Sequence, residues 1–180
     1  MSSQRLDPEH FEVTQLDESE LLPPFTCGDI DLDEFLRDDA LRLHRAGVTR
    51  VYLAWYENAL IGYAAVLASE IKLKTNDVKK LEPLAHDDFH VIPGIKIGRL
   101  AVSAAFKSRH CGTRLVQLVA DLAEECGENF GCRLLIVDAY RTSVEFYHRL
   151  GFRMRQADID DTARITVPMW LDLQQPRDWS

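Results

Sequence analysis

The chain has 180 residues, 46% of them apolar, and its 29 acidic and 21 basic side chains leave a net charge of −8. That length and composition describe one globular domain over residues 1–180, able to bury a core, and exclude a disordered or low-complexity protein. No apolar run is long enough to span a bilayer, and the acidic balance weighs against non-specific nucleic-acid binding, which depends on Lys and Arg neutralising phosphates.

The opening MSSQRLDPEHFEV has no apolar secretory segment, so the expected compartment is the cytoplasm, with no membrane partner. Cys27, Cys111, Cys126 and Cys132 lack C-x-x-C spacing and paired histidines. They read as reduced thiols, and no metal site is expected.

Residues 11–16 (FEVTQL) alternate apolar and polar as a half-buried strand does. Pro23-Pro24 interrupts, and Asp31 to Ala46 then carries Leu32, Phe35, Leu36, Leu41 and Leu43 at mostly helical spacing. Cys27-Gly28-Asp29 suits the start of that helix, with an aspartate near the N-cap. Residues 49–69 predict a hairpin: TRVYLAWY is rich in β-branched and aromatic residues, Glu57-Asn58 turns the chain, and LIGYAAVLAS returns. Residues 70–94 lack a strong period and hold Lys72, Lys74, Lys79, Lys80 and Asp87-Asp88, which predicts an exposed excursion with one short helix.

IKIGRLAV from Ile95 predicts a strand, and SAAFKSRHCG connects it to a helix. In that helix Leu115, Val116, Leu118, Val119, Leu122, Ala123 and Cys126 form one wide apolar face suited to packing on a sheet, with Gly127 as the stop. CRLLIVDA at 132–139 reads as a buried strand. Thr142 then caps a short helix, SVEFYHRL, and Gly151 ends it in the left-handed conformation that glycine adopts most cheaply. Phe152 to Arg155 and Ala163 to Leu171 supply two last strands. The order describes a mixed α/β domain around a central sheet.

The connection before the long helix has the chemistry of an anion site. A tight loop at a helix N-terminus aims free backbone N–H groups and the positive end of the dipole at one place. Lys107, Arg109 and His110 surround it, and Gly112 allows close backbone approach. The same residues also suit an ordinary turn with solvent-facing basic side chains, and the loop alone leaves both readings open.

GRLAV at 98–102, Lys107, His110, Gly112-Thr113, the apolar strand LLIVDA and then VEFYHRLGF together resemble the GNAT N-acetyltransferases over roughly residues 95 to 153. The resemblance implies a central mixed, mostly antiparallel, twisted sheet flanked by helices, with a splayed strand pair that holds coenzyme A. It implies acetyl-CoA as acyl donor, no metal, and often a homodimer. It assigns the pyrophosphate to the loop Lys107, Ser108, Arg109, His110, Cys111, Gly112 and Thr113, and the pantetheine arm to main-chain groups of Leu100, Ala101 and Val102. The family pattern there is Q/R-x-x-G-x-G/A. This chain has lysine at the first position and His110 where the first glycine stands, so a loop needing positive φ would strain His110.

In relatives with F-Y-x-x-x-G-F the tyrosine protonates the departing sulfur, and Tyr147 holds that position; Ser143, one turn earlier, would touch the coenzyme. The amine must also lose a proton. Glu70 is the first candidate base, with His90 and Asp138 behind it.

The expected acceptor is a small-molecule or protein amine. Phe25, Cys27-Gly28, Leu32 and Phe35-Leu36 resemble a subgroup that includes the acetyltransferase toxins of toxin–antitoxin pairs, which modify the amino group of aminoacyl-tRNA. The net charge of −8 weighs against a tRNA partner. A third reading, motivated by His110, is a GNAT-shaped binding module that has lost catalysis.

Overall fold

The computed structural model describes residues 10–17, 22–79, 81, 91–107, 109–177 and 179. Among the described residues six strands lie in one sheet, neighbours in the sheet following chain order, with helices flanking it, which is the expected α/β class. Contacts group the chain into two compact units, Met1–Leu67 with Ile97–Val119, and Ala68–Lys96 with Ala120–Ser180.

In the first unit, β1 (Phe11–Gln15) pairs antiparallel with β2 (Arg50–Tyr56), from Phe11 opposite Tyr56 to Gln15 opposite Tyr52. β2 continues antiparallel into β3 (Ala59–Lys72) through Glu57 and Asn58, whose φ values of +47° and +66° are those of a tight hairpin turn. The helix expected from Asp31 begins at Ile30, where the Asp29 carboxylate accepts the backbone N–H groups of Asp31 (3.1 Å) and Leu32 (3.3 Å).

That helix is not a uniform α-helix. α1 (Ile30–Glu34) and α2 (Ala40–Arg45) flank a π-helical stretch at Phe35–Asp39, closed by the Ala40 N–H bonding to the Phe35 carbonyl. One residue is inserted, so buried Ala40 follows buried Phe35 and Leu36, and Leu41 falls one place off a strict helical period. Phe35 and Leu36 pack with Val51, Leu53, Tyr63 and Ala65 in this unit's core.

In the second unit, Leu73, Val78, Leu81, Ile92, Leu134, Ile136 and Trp170 form the core. The short helix expected in the excursion is α3 (Thr75–Val78); Lys80 and residues 82–90 lie outside the described residues. β4 (Val91–Val102) starts four positions before Ile95. Its Gly94 is required by β5 (Leu134–Tyr140), because a Cβ there would come within 2.1 Å of the Leu134 carbonyl oxygen. β5 pairs antiparallel with β6 (Thr166–Asp172), from Leu134 opposite Asp172 to Tyr140 opposite Thr166.

Three expectations are corrected. α4 (Cys111–Asn129) runs two residues past Gly127, whose φ is not positive; a Cβ there would meet the Cys132 carbonyl at 3.2 Å, so this glycine serves the chain's close return. Thr142 does not cap α5 (Val144–Arg149): it lies inside a 3-10 turn, Arg141–Ser143, and Ser143 is the N-cap, with no side-chain bond. Phe152 to Arg155 is not a strand. Only Arg153 bridges, to Trp170, and the chain then turns into α6 (Gln156–Asp160), where Arg155 pairs with buried Asp158 at 2.6 Å. Gly151 has the expected left-handed φ, +89°.

Candidate functional site

The loop at 103–110 is fixed at its start by two backbone bonds: the Ser103 N–H donates to the Ile61 carbonyl (2.8 Å) and the Ala104 N–H to the Thr26 carbonyl (2.9 Å). A 3-10 turn, Ala104–Phe106, follows. His110 then takes φ +61°, the left-handed conformation that the glycine of the family pattern would take more cheaply, and its carbonyl accepts the Arg114 N–H (3.1 Å) to open α4. The N–H groups of the first helical turn have no carbonyl partner within the helix, so this is where an anion would be held.

Around that turn the side chains divide their roles. Cys111 is buried, its thiol points at the Phe106 carbonyl (3.6 Å), and burial pushes its pKa up; only its main chain is available to a ligand. The Arg109 guanidinium lies over the Phe106 ring (5.2 Å) and that of Arg114 over Phe11 (5.0 Å). His110 and Lys107 are exposed, and the Lys107 ammonium stands 3.9 Å from the point a Cβ of Gly28 would occupy, so it reaches toward the start of α1. Gly112 and Thr113 are half-buried in the first turn, and Ser108 lies outside the described residues.

Leu100, Ala101 and Val102 end β4, with Ala101 buried and its neighbours half-buried. Gly62 on β3 permits this: a Cβ there would sit 2.7 Å from the Ala101 carbonyl oxygen.

Tyr147 and Ser143 belong to the second unit, Ser143 as the N-cap of α5 and Tyr147 within the helix, four residues on. Tyr147 is 5% exposed, between Phe146 (5.0 Å) and Phe152 (5.2 Å) in edge-to-face contacts. Among the described residues no hydrogen bond reaches its hydroxyl, and burial raises its pKa well above that of an ordinary phenol. It is therefore a neutral proton donor at any physiological pH.

Neither described candidate base sits in a setting that strongly activates it. Glu70 is exposed on β3, Asp138 is already engaged by the Lys96 ammonium at 2.5 Å, and His90 lies outside the described residues. Among the described residues no three His, Cys, Asp or Glu side chains converge as metal ligands would. No helix among them is long and apolar enough to cross a membrane.

Two features escaped the sequence reading. Arg141 donates to three carbonyls, those of Arg164 (2.8 Å), Ile159 (3.1 Å) and Asp161, and so ties the start of α5 to the chain around α6. Nothing local marks such a contact, which spans about twenty residues. The second was legible: no acidic residue falls between Asp88 and Asp121, while Lys96, Arg99, Lys107, Arg109 and Arg114 do. A basic stretch is thus concentrated at the loop of a chain whose net charge is −8.

A family model for the GNAT acetyltransferases matches residues 12–152. The chain belongs to this family. As a GNAT protein it is an acetyltransferase, and acetyl-CoA is its acyl donor. Among characterised relatives, a tRNA-acetylating toxin of Mycobacterium tuberculosis (strain ATCC 25618 / H37Rv) is 25% identical over 135 residues, 74% of this chain and 79% of the toxin. Solved structures share the fold. AtaT complexed with acetyl-methionyl-tRNAfMet superposes with a TM-score of 0.73 at 19% identity, covering 90% of this chain and 94% of AtaT. A Tyr-to-Phe variant of AtaT bound to acetyl-CoA and the C-terminus of the antitoxin AtaR gives 0.72 at 19% identity, covering 92% and 94%.

Proposed function

We propose that this GNAT acetyltransferase transfers the acetyl group of acetyl-CoA to the α-amino group of an aminoacyl-tRNA. The observation that carries this reading is the likeness to a tRNA-acetylating toxin across three quarters of the chain. The basic residues Arg99, Lys107, Arg109 and Arg114, with no acid between them in the sequence, support it, because they offer phosphates local positive charge despite the overall balance.

The chemistry agrees. A lysine-type amine with a pKa near 10.4 is neutral in only about one molecule in a few thousand at pH 7 and needs a strong base. An α-amine with a pKa near 7.8 is neutral in roughly one in seven. An α-amine acceptor therefore suits a chain in which Glu70 is exposed and Asp138 is ion-paired.

On this reading the first-turn amides of α4, with Arg109, His110, Gly112 and Thr113, hold the pyrophosphate, and Lys107 adds charge. Main-chain groups of Leu100, Ala101 and Val102 take the pantetheine arm as a strand would, and Ser143 contacts the coenzyme. The neutral amine attacks the thioester carbonyl, the C–N bond forms as the C–S bond breaks, and Tyr147 gives its proton to the leaving thiolate. The amine's own proton passes to solvent, directly or through Glu70, and the phenolate of Tyr147 is reprotonated from solvent. The reaction would run in the cytoplasm, and by analogy with AtaT and AtaR a dedicated antitoxin would be a protein partner.

The test is the initial rate of label transfer from acetyl-CoA to three acceptors at equal concentration: aminoacyl-tRNA, uncharged tRNA, and a polyamine or lysine peptide. Transfer confined to aminoacyl-tRNA supports the reading. Faster transfer to the small amines overturns it in favour of a small-molecule or protein acceptor.

A further inference from the structure

The second unit contains a groove of about 330 Å³ lined by Arg149, Leu150, Gly151, Arg153, Leu171, Asp172, Gln175, Pro176 and Arg177. Three of these carry guanidinium groups. The one carboxylate, Asp172, is buried and already held by Arg133 (Nε to Oδ1, 2.7 Å; Nη2 to Oδ2, 3.0 Å), so it does not neutralise them. Arg149 and Arg153 are exposed, and among the described residues neither guanidinium has an ion pair or a hydrogen bond.

Arg177, by contrast, is already engaged. Its Nη1 donates to the Leu173 carbonyl (2.8 Å) and its Nη2 pairs with Glu124, so its charge is met within the fold. The acceptor that suits several guanidiniums at once is a tetrahedral oxyanion, whose oxygens match the planar fork of arginine.

We propose that this groove is a phosphate-binding site made by residues other than those of the loop at 107–113, with the exposed guanidinium groups of Arg149 and Arg153 gripping the phosphate. The phosphate comes either from an RNA strand or from a small phosphorylated molecule. The inference does not depend on the identity of the acetyl acceptor, since it rests only on the groove's own residues.

The variant to make is Arg149→Gln with Arg153→Gln. The structure gives neither side chain a polar partner, so folding should survive, and unchanged acetyl-CoA affinity would check that. Binding is measured with two probes: inorganic phosphate by calorimetry, and a 5′-phosphorylated RNA hairpin labelled at its 3′ end by anisotropy across a salt series. The double variant is expected to bind phosphate at least tenfold more weakly. If RNA is the source, it also loses about tenfold in hairpin affinity and its salt dependence falls by one to two phosphate contacts. Loss for phosphate with unchanged hairpin binding supports the site and assigns it to a small phosphorylated molecule. Equal affinity of wild type and variant for both probes, or no binding of either by the wild type, overturns the proposal.

Discussion

Gly62 lies so close to Ala101 that a Cβ on the glycine would stand 2.7 Å from the Ala101 carbonyl oxygen and 3.0 Å from Leu115. The first of these neighbours is backbone and cannot swing aside, so Gly62→Ala must push the end of β4 away from β3. Ala101 is in the middle of the segment assigned to the pantetheine arm. The substitution is expected to weaken acetyl-CoA binding about tenfold or more and to cost about 1–3 kcal/mol of stability. Calorimetry and urea unfolding measure the two effects separately.

His110 holds a left-handed φ at a cost of order 1 kcal/mol. His110→Gly relieves it but adds unfolded-state entropy of about 0.4–1 kcal/mol. Stability should therefore change by less than about 1 kcal/mol, with acetyl-CoA binding kept or tightened. His110→Val, which puts a β-branched residue in the same conformation, should cost about 1–3 kcal/mol. A large loss of affinity in the glycine variant would show that the imidazole contacts the phosphates.

Tyr147→Phe is expected to lower kcat by about 10²-fold with little change in the Kd for acetyl-CoA. Burial raises the phenol's pKa, so the group stays protonated through the alkaline range. The kcat/KM profile should thus rise with deprotonation of the α-amine near pH 8 and stay level to pH 10. The linkage has the matching sign: folding favours the neutral phenol, so its contribution to stability is complete below about pH 10 and is lost only above it. A falling limb near pH 9 would point to a different acid.

Arg141→Ala removes donors from three carbonyls that reach it from Ile159, Asp161 and Arg164. A loss of about 2 kcal/mol in urea unfolding is expected. Faster proteolysis around α6 should accompany it. An unchanged urea midpoint would mean that water replaces the guanidinium at no cost.

Much of this was readable from residues. The hairpin turn at Glu57-Asn58, the Asp29 cap and the Gly151 stop followed from local chemistry, and the positive φ of His110 from its position in the loop pattern. What escaped depends on distant partners. The π-helical stretch at Phe35–Asp39 left a trace in the shift from Leu36 to Leu41, and its Phe35 stacks on Tyr63 of β3, a partner distant in sequence. Gly127 and Thr142 carried ordinary stop and cap chemistry, and tertiary geometry overrode both. Phe152 to Arg155 has a strand-like alternation, but only Arg153 bridges, and Arg155 pairs instead with buried Asp158 of α6. In the candidate site, the sum of −8 conceals a local pattern, since no acid falls between Asp88 and Asp121.

The central claim is tested most directly by incubating the purified protein with acetyl-CoA and aminoacyl-tRNA, digesting with nuclease and weighing the aminoacyl-adenosine by mass spectrometry. The expected product is heavier by one acetyl group on the amino acid, appears with wild type and is strongly reduced with Tyr147→Phe. An unmodified aminoacyl-adenosine, from a protein that binds acetyl-CoA and acetylates other amines, would contradict the proposed acceptor.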